Sequence, residues 1–248
     1  MPKNTKQKPL IHIGTSGWSY AHWKEIFFPE GLKTGEWLNF YAEAFPTVEI
    51  NSTFYRTPSI STFHNWYDQV PDNFLFSLKI NRYITHLKRL KDCRESLDYF
   101  YKNVEVLKPK VGPILFQLPP TFHKNSERFT EFLSWLHPDY RYVFEFRHES
   151  WFVEEVYELL AQKQIGLCIT DLTGSLTPEV LTTDFTYLRL HGPKKAYQGS
   201  YGKEGLREWQ KRIMNWSKEA SVFCYFDNDE KGYAIQDARS LTDMFRSK

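Results

Sequence analysis

Cysteine is scarce in this sequence. There are three, Cys93, Cys168 and Cys224, far apart and odd in number. That excludes a disulfide framework and leaves no paired-cysteine metal motif. Cys168 and Cys224 sit in apolar, strand-like runs, where thiols act as small hydrophobes. A reducing, cytoplasmic compartment fits that usage. Long apolar runs are missing too. None approaches the roughly 18 residues that span a bilayer, so no membrane partner is expected. Charge of one sign is also missing: 32 Lys and Arg face 30 Asp and Glu, a net +2. So mild a balance excludes a whole-surface nucleic-acid binder and makes any attraction for anions local. No repeat, linker or low-complexity segment divides the chain. Residues 1–9 hold three lysines and no apolar h-region, so they read as a flexible tail and not a signal peptide. Residues 10–248 are expected to form one domain.

Aromatics, by contrast, are abundant: 8 Trp, 15 Tyr and 20 Phe. That number predicts rings lining a pocket as well as filling a core. Eight short apolar or aromatic runs recur: 10–14, 48–51, 74–80, 113–118, 142–147, 165–171, 185–191 and 222–227. Helix-like stretches separate most of them, at 33–44, 59–68, 93–107, 126–136, 151–162, 204–218 and 232–245. Strands alternating with helices predict a parallel sheet. Eight strands in a chain of 248 residues predict one (β/α)8 TIM barrel, a fold that typically takes about 250 residues and carries its site at the C-terminal face. Between the sixth and seventh strands, residues 173–178 look like turn rather than helix. Residues 192–202 read as a long loop.

Side chains alternate faces along a strand, and the face towards the helices must be apolar. If Val48 and Ile50 face helices, Glu49 and Asn51 face inward. The same phase turns Lys79, Gln117, Glu145, Arg147, Arg189, His191 and Asp227 inward, and strand six ends on Asp171. These polar residues fall at the carboxyl ends, so they are expected to share one mouth. Loops add stacking surfaces: Trp18 and Tyr20, Phe54-Tyr55-Arg56, His148 and Trp151, Tyr197 and Tyr201. A salt-bridge lattice that plugs the barrel is the bland alternative.

Several motifs together resemble the DUF72, or YecE-like, family. They are Gly14-Thr15-Ser16-Gly17-Trp18 with Tyr20 and Trp23, then Thr47 through Arg56, Ile84-Thr85-His86 and Gln117-Leu118-Pro119-Pro120. Later come Glu145-Phe146-Arg147-His148 with Trp151, Arg189-Leu190-His191-Gly192, and Tyr225-Phe226-Asp227-Asn228-Asp229 with Gly232. The resemblance implies a TIM barrel like that of metal-dependent sugar isomerases and endonuclease IV-type repair enzymes. It implies no settled reaction. The family more often has Asn where this chain has Asp227, and Asn-Ala where it has Asp237-Ala238.

The residue types allow several chemistries. Glu49, Glu145, Asp171 and His191 are the candidate catalytic groups; the alternative role for them is to hold one Mg2+ or Mn2+ against the repulsion of three nearby cations. No cofactor is otherwise expected. Lys79, Arg147 and Arg189, with Lys194 and Lys195 beyond, suit a metal-free clamp for a phosphate or carboxylate, with His191 for proton transfer. Trp18, Tyr20, Asn51, Gln117, His148, Trp151, Tyr197, Tyr201, Asp227 and Asn228 complete the expected binding set. Glu49 and Glu145 could flank a glycosidic bond. A splayed base and its phosphate would suit the same mouth. The expectation is a hydrolase- or lyase-like enzyme acting on a phosphorylated or nucleotide-containing substrate. Its alternatives are a metal-dependent, endonuclease IV-like nucleic-acid hydrolase and a non-catalytic binder of small anions.

Overall fold

The computed structural model describes residues 9–246; all but Pro9 of the expected tail lies outside them. Eight parallel strands form a nearly closed barrel. They are β1 (Ile11–Thr15), β2 (Thr47–Ile50), β3 (Leu75–Lys79), β4 (Val111–Gln117), β5 (Tyr142–Glu145), β6 (Gly166–Leu172), β7 (Phe185–Leu190) and β8 (Ser221–Phe226). Their hydrogen-bonded order runs β1-β8-β7-β6-β5-β4-β3-β2. Among the described residues, seven helices of eight residues or more surround them: α1 (Trp37–Ala44), α2 (Ile60–Asp68), α3 (Arg94–Val104), α4 (Ser126–Leu133), α5 (Glu154–Gln162), α6 (Gly202–Trp216) and α7 (Tyr233–Arg246).

Local chemistry explains these elements. Ser59 and Asn125 accept the Thr62 and Arg128 amides and so cap α2 and α4. Helix α6 buries Leu206, Trp209, Ile213 and Trp216, a three-and-four spacing that makes one apolar stripe. Where an eighth helix would lie, Thr173 and Gly174 turn with positive φ and return Ser175–Leu176 antiparallel to β6. The turn expected there is present, with this short strand added.

The strand phase sorts the core into two bodies. Phe116, Phe144 and Leu188 pack outward with the helices. Leu115, Val143, Cys168, Phe185, Tyr187, Phe223 and Tyr225 fill the barrel. Its interior is more polar than the sequence suggested. The Tyr225 hydroxyl lies 2.7 Å from both Thr47 Oγ1 and Ser77 Oγ, which satisfies three buried groups midway down the barrel.

The seam between β1 and β2 is thin. One bridge, Ser16 to Glu49, joins the strand ends. Below it the Tyr41 hydroxyl accepts the Thr15 amide at 2.9 Å and donates to the Thr47 carbonyl at 3.1 Å. Gly14 permits this approach: a Cβ there would lie 2.2 Å from the Thr47 carbonyl oxygen.

Candidate functional site at the barrel mouth

The carboxyl ends of β2, β5, β7 and β8 converge on one guanidinium. Arg189 forks onto Glu49, with Nε 2.9 Å from Oε2 and Nη2 2.8 Å from Oε1. Its Nη1 donates to Glu145 Oε2 at 2.8 Å, and Nη2 reaches Asp227 Oδ2 at 3.3 Å. Glu49 also accepts from Ser16 Oγ and the Tyr187 hydroxyl. Glu145 accepts from Gln117 Nε2 at 3.0 Å and pairs with Arg147. Burial alone would raise both glutamates, but Arg189 and its hydrogen bonds hold Glu49 below its ordinary value, and Arg189 and Arg147 hold Glu145 well below.

These contacts correct the roles expected of the two glutamates. Both are wholly buried, ionised and saturated with donors, so neither suits proton transfer. A glycosidase pair is also excluded, because Arg189 occupies the space between the two carboxylates. A metal fits no better. The carboxylates are already committed to cations, and among the described residues no three His, Cys, Asp or Glu side chains form a metal-holding group.

The ion lattice makes stability acid-sensitive. Glu49 and Glu145 have folded-state values depressed below the ordinary 4.5, so their contribution is full above about pH 4.5 and lost as pH falls further. Urea midpoints measured from pH 6 to about pH 3 should therefore decline, and Glu49→Gln should flatten the decline. A level wild-type profile would contradict this.

His191 is buried at the centre of the mouth. Its Nε2 lies 3.1 Å from Arg147 Nη2 and 3.2 Å from Arg189 Nη1. Guanidinium groups only donate, so Nε2 accepts and the ring proton sits on Nδ1. Nδ1 is 2.9 Å from Asp227 Oδ2 but lies off the line of a hydrogen bond, so it is close enough for attraction yet remains unpartnered. An Asn at position 227 could orient this ring equally well.

Lys79 differs from the arginines. Its Nζ sits 4.2 Å over the Phe54 ring and has no carboxylate within ion-pair distance among the described residues. Burial, with Arg189 beside it, pushes its pKa down to about 8. Arg147 is partly exposed, as is Asp227. Arg147 and Asp227 therefore form the solvent side of the lattice, with Lys79 buried beside it.

Four expected site residues belong elsewhere. Asp171 follows Ile169 in the outward phase of β6, while Cys168 and Thr170 point inward. The Asp171 carboxylate accepts from Tyr201 at 2.8 Å, and burial raises its pKa. Tyr201 itself accepts the Gly192 amide and is a loop anchor. Asn228 is buried and donates to Gly199 and Asp237. Trp151 is wholly buried against Phe146, on the helix side of β5.

The remaining residues stand round the rim. Tyr197 is half exposed and meets His191 edge-on, with ring centroids 5.3 Å apart. His148 packs on His123 and caps the turn at Glu149–Trp151. Lys194 and Lys195 are exposed. Trp18 meets Trp66 edge-on beside a cleft of about 350 Å3 that Tyr20 and Asn51 also line. The Asn51 Oδ1 is buried there without a hydrogen-bond partner. Sequence reading missed Ser16 and Tyr187 as supports of Glu49. Tyr187 was legible from its inward phase two residues before Arg189.

An eight-stranded parallel barrel with a buried ionic lattice at its carboxyl-end mouth defines a TIM-barrel protein with a candidate site. More particularly, the chain belongs to the DUF72 family, described as "Protein of unknown function DUF72", whose model matches residues 12–248. UPF0759 protein YunF of Bacillus subtilis (strain 168) is 25% identical over 95% of this chain and 94% of its own length. UPF0759 protein YecE of Escherichia coli (strain K12) is 30% identical, over 58% of this chain and 51% of its own length. A solved DUF72 family protein from Thermotoga maritima MSB8 superposes with a TM-score of 0.84 at 30% identity, covering 96% of this chain and 99% of its own. No helix among the described residues is long and apolar enough to cross a membrane.

Proposed function

We propose that the mouth is a metal-free site for the phosphoryl group of a phosphorylated or nucleotide-containing substrate, in an enzyme of hydrolase or lyase type. The carrying observation is Lys79, a buried cation with no carboxylate partner. An ammonium withdrawn from water gains from an anionic ligand, and Arg147 beside Glu145 has N–H groups left to share. The Arg189 lattice holds these groups in place and does not itself bind substrate. His191 is the group for proton transfer, with its Nδ1 2.9 Å from Asp227 Oδ2. Tyr197 and the Trp18–Asn51 cleft supply the stacking and polar contacts.

Titration calorimetry with inorganic phosphate and AMP tests this. Wild type should bind. Lys79→Ala and Arg147→Ala should each weaken binding about tenfold or more, from the roughly 1.5–3 kcal/mol carried by a charged hydrogen bond. His191→Gln should leave phosphate binding within a few-fold of wild type. Equal, negligible binding by wild type and both cation variants would sink the proposal.

A further inference from the structure

The loops after β2 and β3, with the first turns of α3, form a second surface beside the mouth. Tyr55, Tyr83 and Tyr99 are 71%, 44% and 58% exposed, well beyond what aromatic core residues show. They line a cleft of about 460 Å3 with Arg56, Asn81, Glu95 and Phe100. Six cations stand on these loops and at the start of α3: Arg56, Arg82, Lys88, Arg89, Lys91 and Arg94. None of them forms an ion pair among the described residues. Asp92, Glu95 and Asp98 are the acids nearby in sequence, so a local positive excess stands out against a chain whose total is +2. Lys88 Nζ lies 5.8 Å over the Tyr83 ring.

A run of rings leads from this cleft towards the mouth. Tyr55 meets Phe54 edge-on at 5.2 Å, and Phe54 meets His86 at 4.9 Å. Phe54 is also the ring beneath Lys79. Burial, then Lys79 and Arg82, push the His86 pKa down to about 4, so at neutral pH it is an uncharged ring. The loop has unusual backbone: a π-helical segment over Tyr83–Leu87, then Arg89, Leu90 and Asp92 with φ of 48°, 67° and 50°. Such conformations cost free energy in residues with side chains and gather at ligand-holding loops.

We propose that this flank binds a single-stranded nucleic-acid segment. Its bases stack on Tyr55, Tyr83 and Tyr99, its phosphates meet Arg56, Arg82 and Lys88, and the strand runs past Phe54 into the mouth. Only the last clause rests on the phosphate reading of the mouth. Exposed rings interleaved with unpaired cations are what a flexible strand of bases and phosphates requires. An acidic peptide would use the cations but leave the tyrosines idle.

The test is fluorescence anisotropy with a labelled short oligo(dT), alongside phosphate calorimetry. Wild type should bind, with log Kd rising linearly with log salt. Tyr55→Ala/Tyr83→Ala should weaken oligo(dT) about tenfold or more, at the roughly 1–3 kcal/mol of each base stack, without moving phosphate affinity. Arg82→Glu/Lys88→Glu should weaken it and flatten the salt slope. Tyr55, Arg82 and Tyr83 are exposed and Lys88 is partly exposed, and circular dichroism will confirm that each variant is folded. The inference falls if wild type does not bind oligo(dT), if the tyrosine variant binds like wild type, or if polyglutamate competes equally. Tyrosine-dependent oligo(dT) binding without phosphate binding would uphold this flank and overturn the mouth proposal. Phosphate binding without oligo(dT) binding would do the reverse.

Discussion

Arg189→Ala should cost about 3–5 kcal/mol of folding free energy, the loss expected when one member of a buried ion lattice is removed. Small domains are commonly stable by only about 5–15 kcal/mol, so the variant should approach unfolding at moderate temperature. The cause is what remains behind. Glu49 and Glu145 are both wholly buried and would lose their main counter-charge together. Arg147 still pairs with Glu145, so Glu49 bears most of the loss. Guanidinium chloride denaturation gives the number. Rescue gives the mechanism: adding Glu49→Gln to Arg189→Ala should recover part of the stability, since an amide can still hydrogen-bond to Ser16 and Tyr187 without a buried charge. A wild-type midpoint for Arg189→Ala, or no recovery in the double variant, would mean the lattice contributes little to the fold.

Trp151→Ala should cost a similar amount, about 3–5 kcal/mol, for a different reason. Its indole stacks on Phe146 with planes 4° apart and meets Phe129 at 5.1 Å. Its Nε1 donates to the Phe122 carbonyl at 2.7 Å. Truncation opens a cavity and leaves that carbonyl unpaired. Trp151→Phe should fall between, keeping most of the packing but losing the hydrogen bond. Phosphate affinity of the folded fraction should not change in either variant. Lost affinity at unchanged stability would return Trp151 to the mouth.

The barrel and most of the mouth were legible in the sequence because strand alternation is a strict geometric rule. Glu49, Lys79, Glu145, Arg147, Arg189 and Asp227 meet at one end, as their phase predicts. Asp171 was misread because its place at a strand end outweighed its parity with Ile169. Trp151 and Tyr201 were misread because a ring in a loop fits a core or a rim equally until its partner is known. Their partners, Phe122 and Asp171, lie 29 and 30 residues away. The saturation of the glutamates was invisible for the same reason: the alternation rule assigns a face, whereas donor counts depend on contacts between distant strands. Tyr187, 138 residues from Glu49, is such a contact.

The thin seam between β1 and β2 has a consequence for biogenesis. Its bridge residue, Glu49, is also the anchor of Arg189 from β7. Strand β8 follows every other barrel strand in the chain, and it alone ladders β1 to β7. A chain cut before β8 would have no link between β1 and β7 and no Asp227 beside Arg189. Closing the barrel and bringing Asp227 to the mouth are thus one event, so truncated products should be unstable.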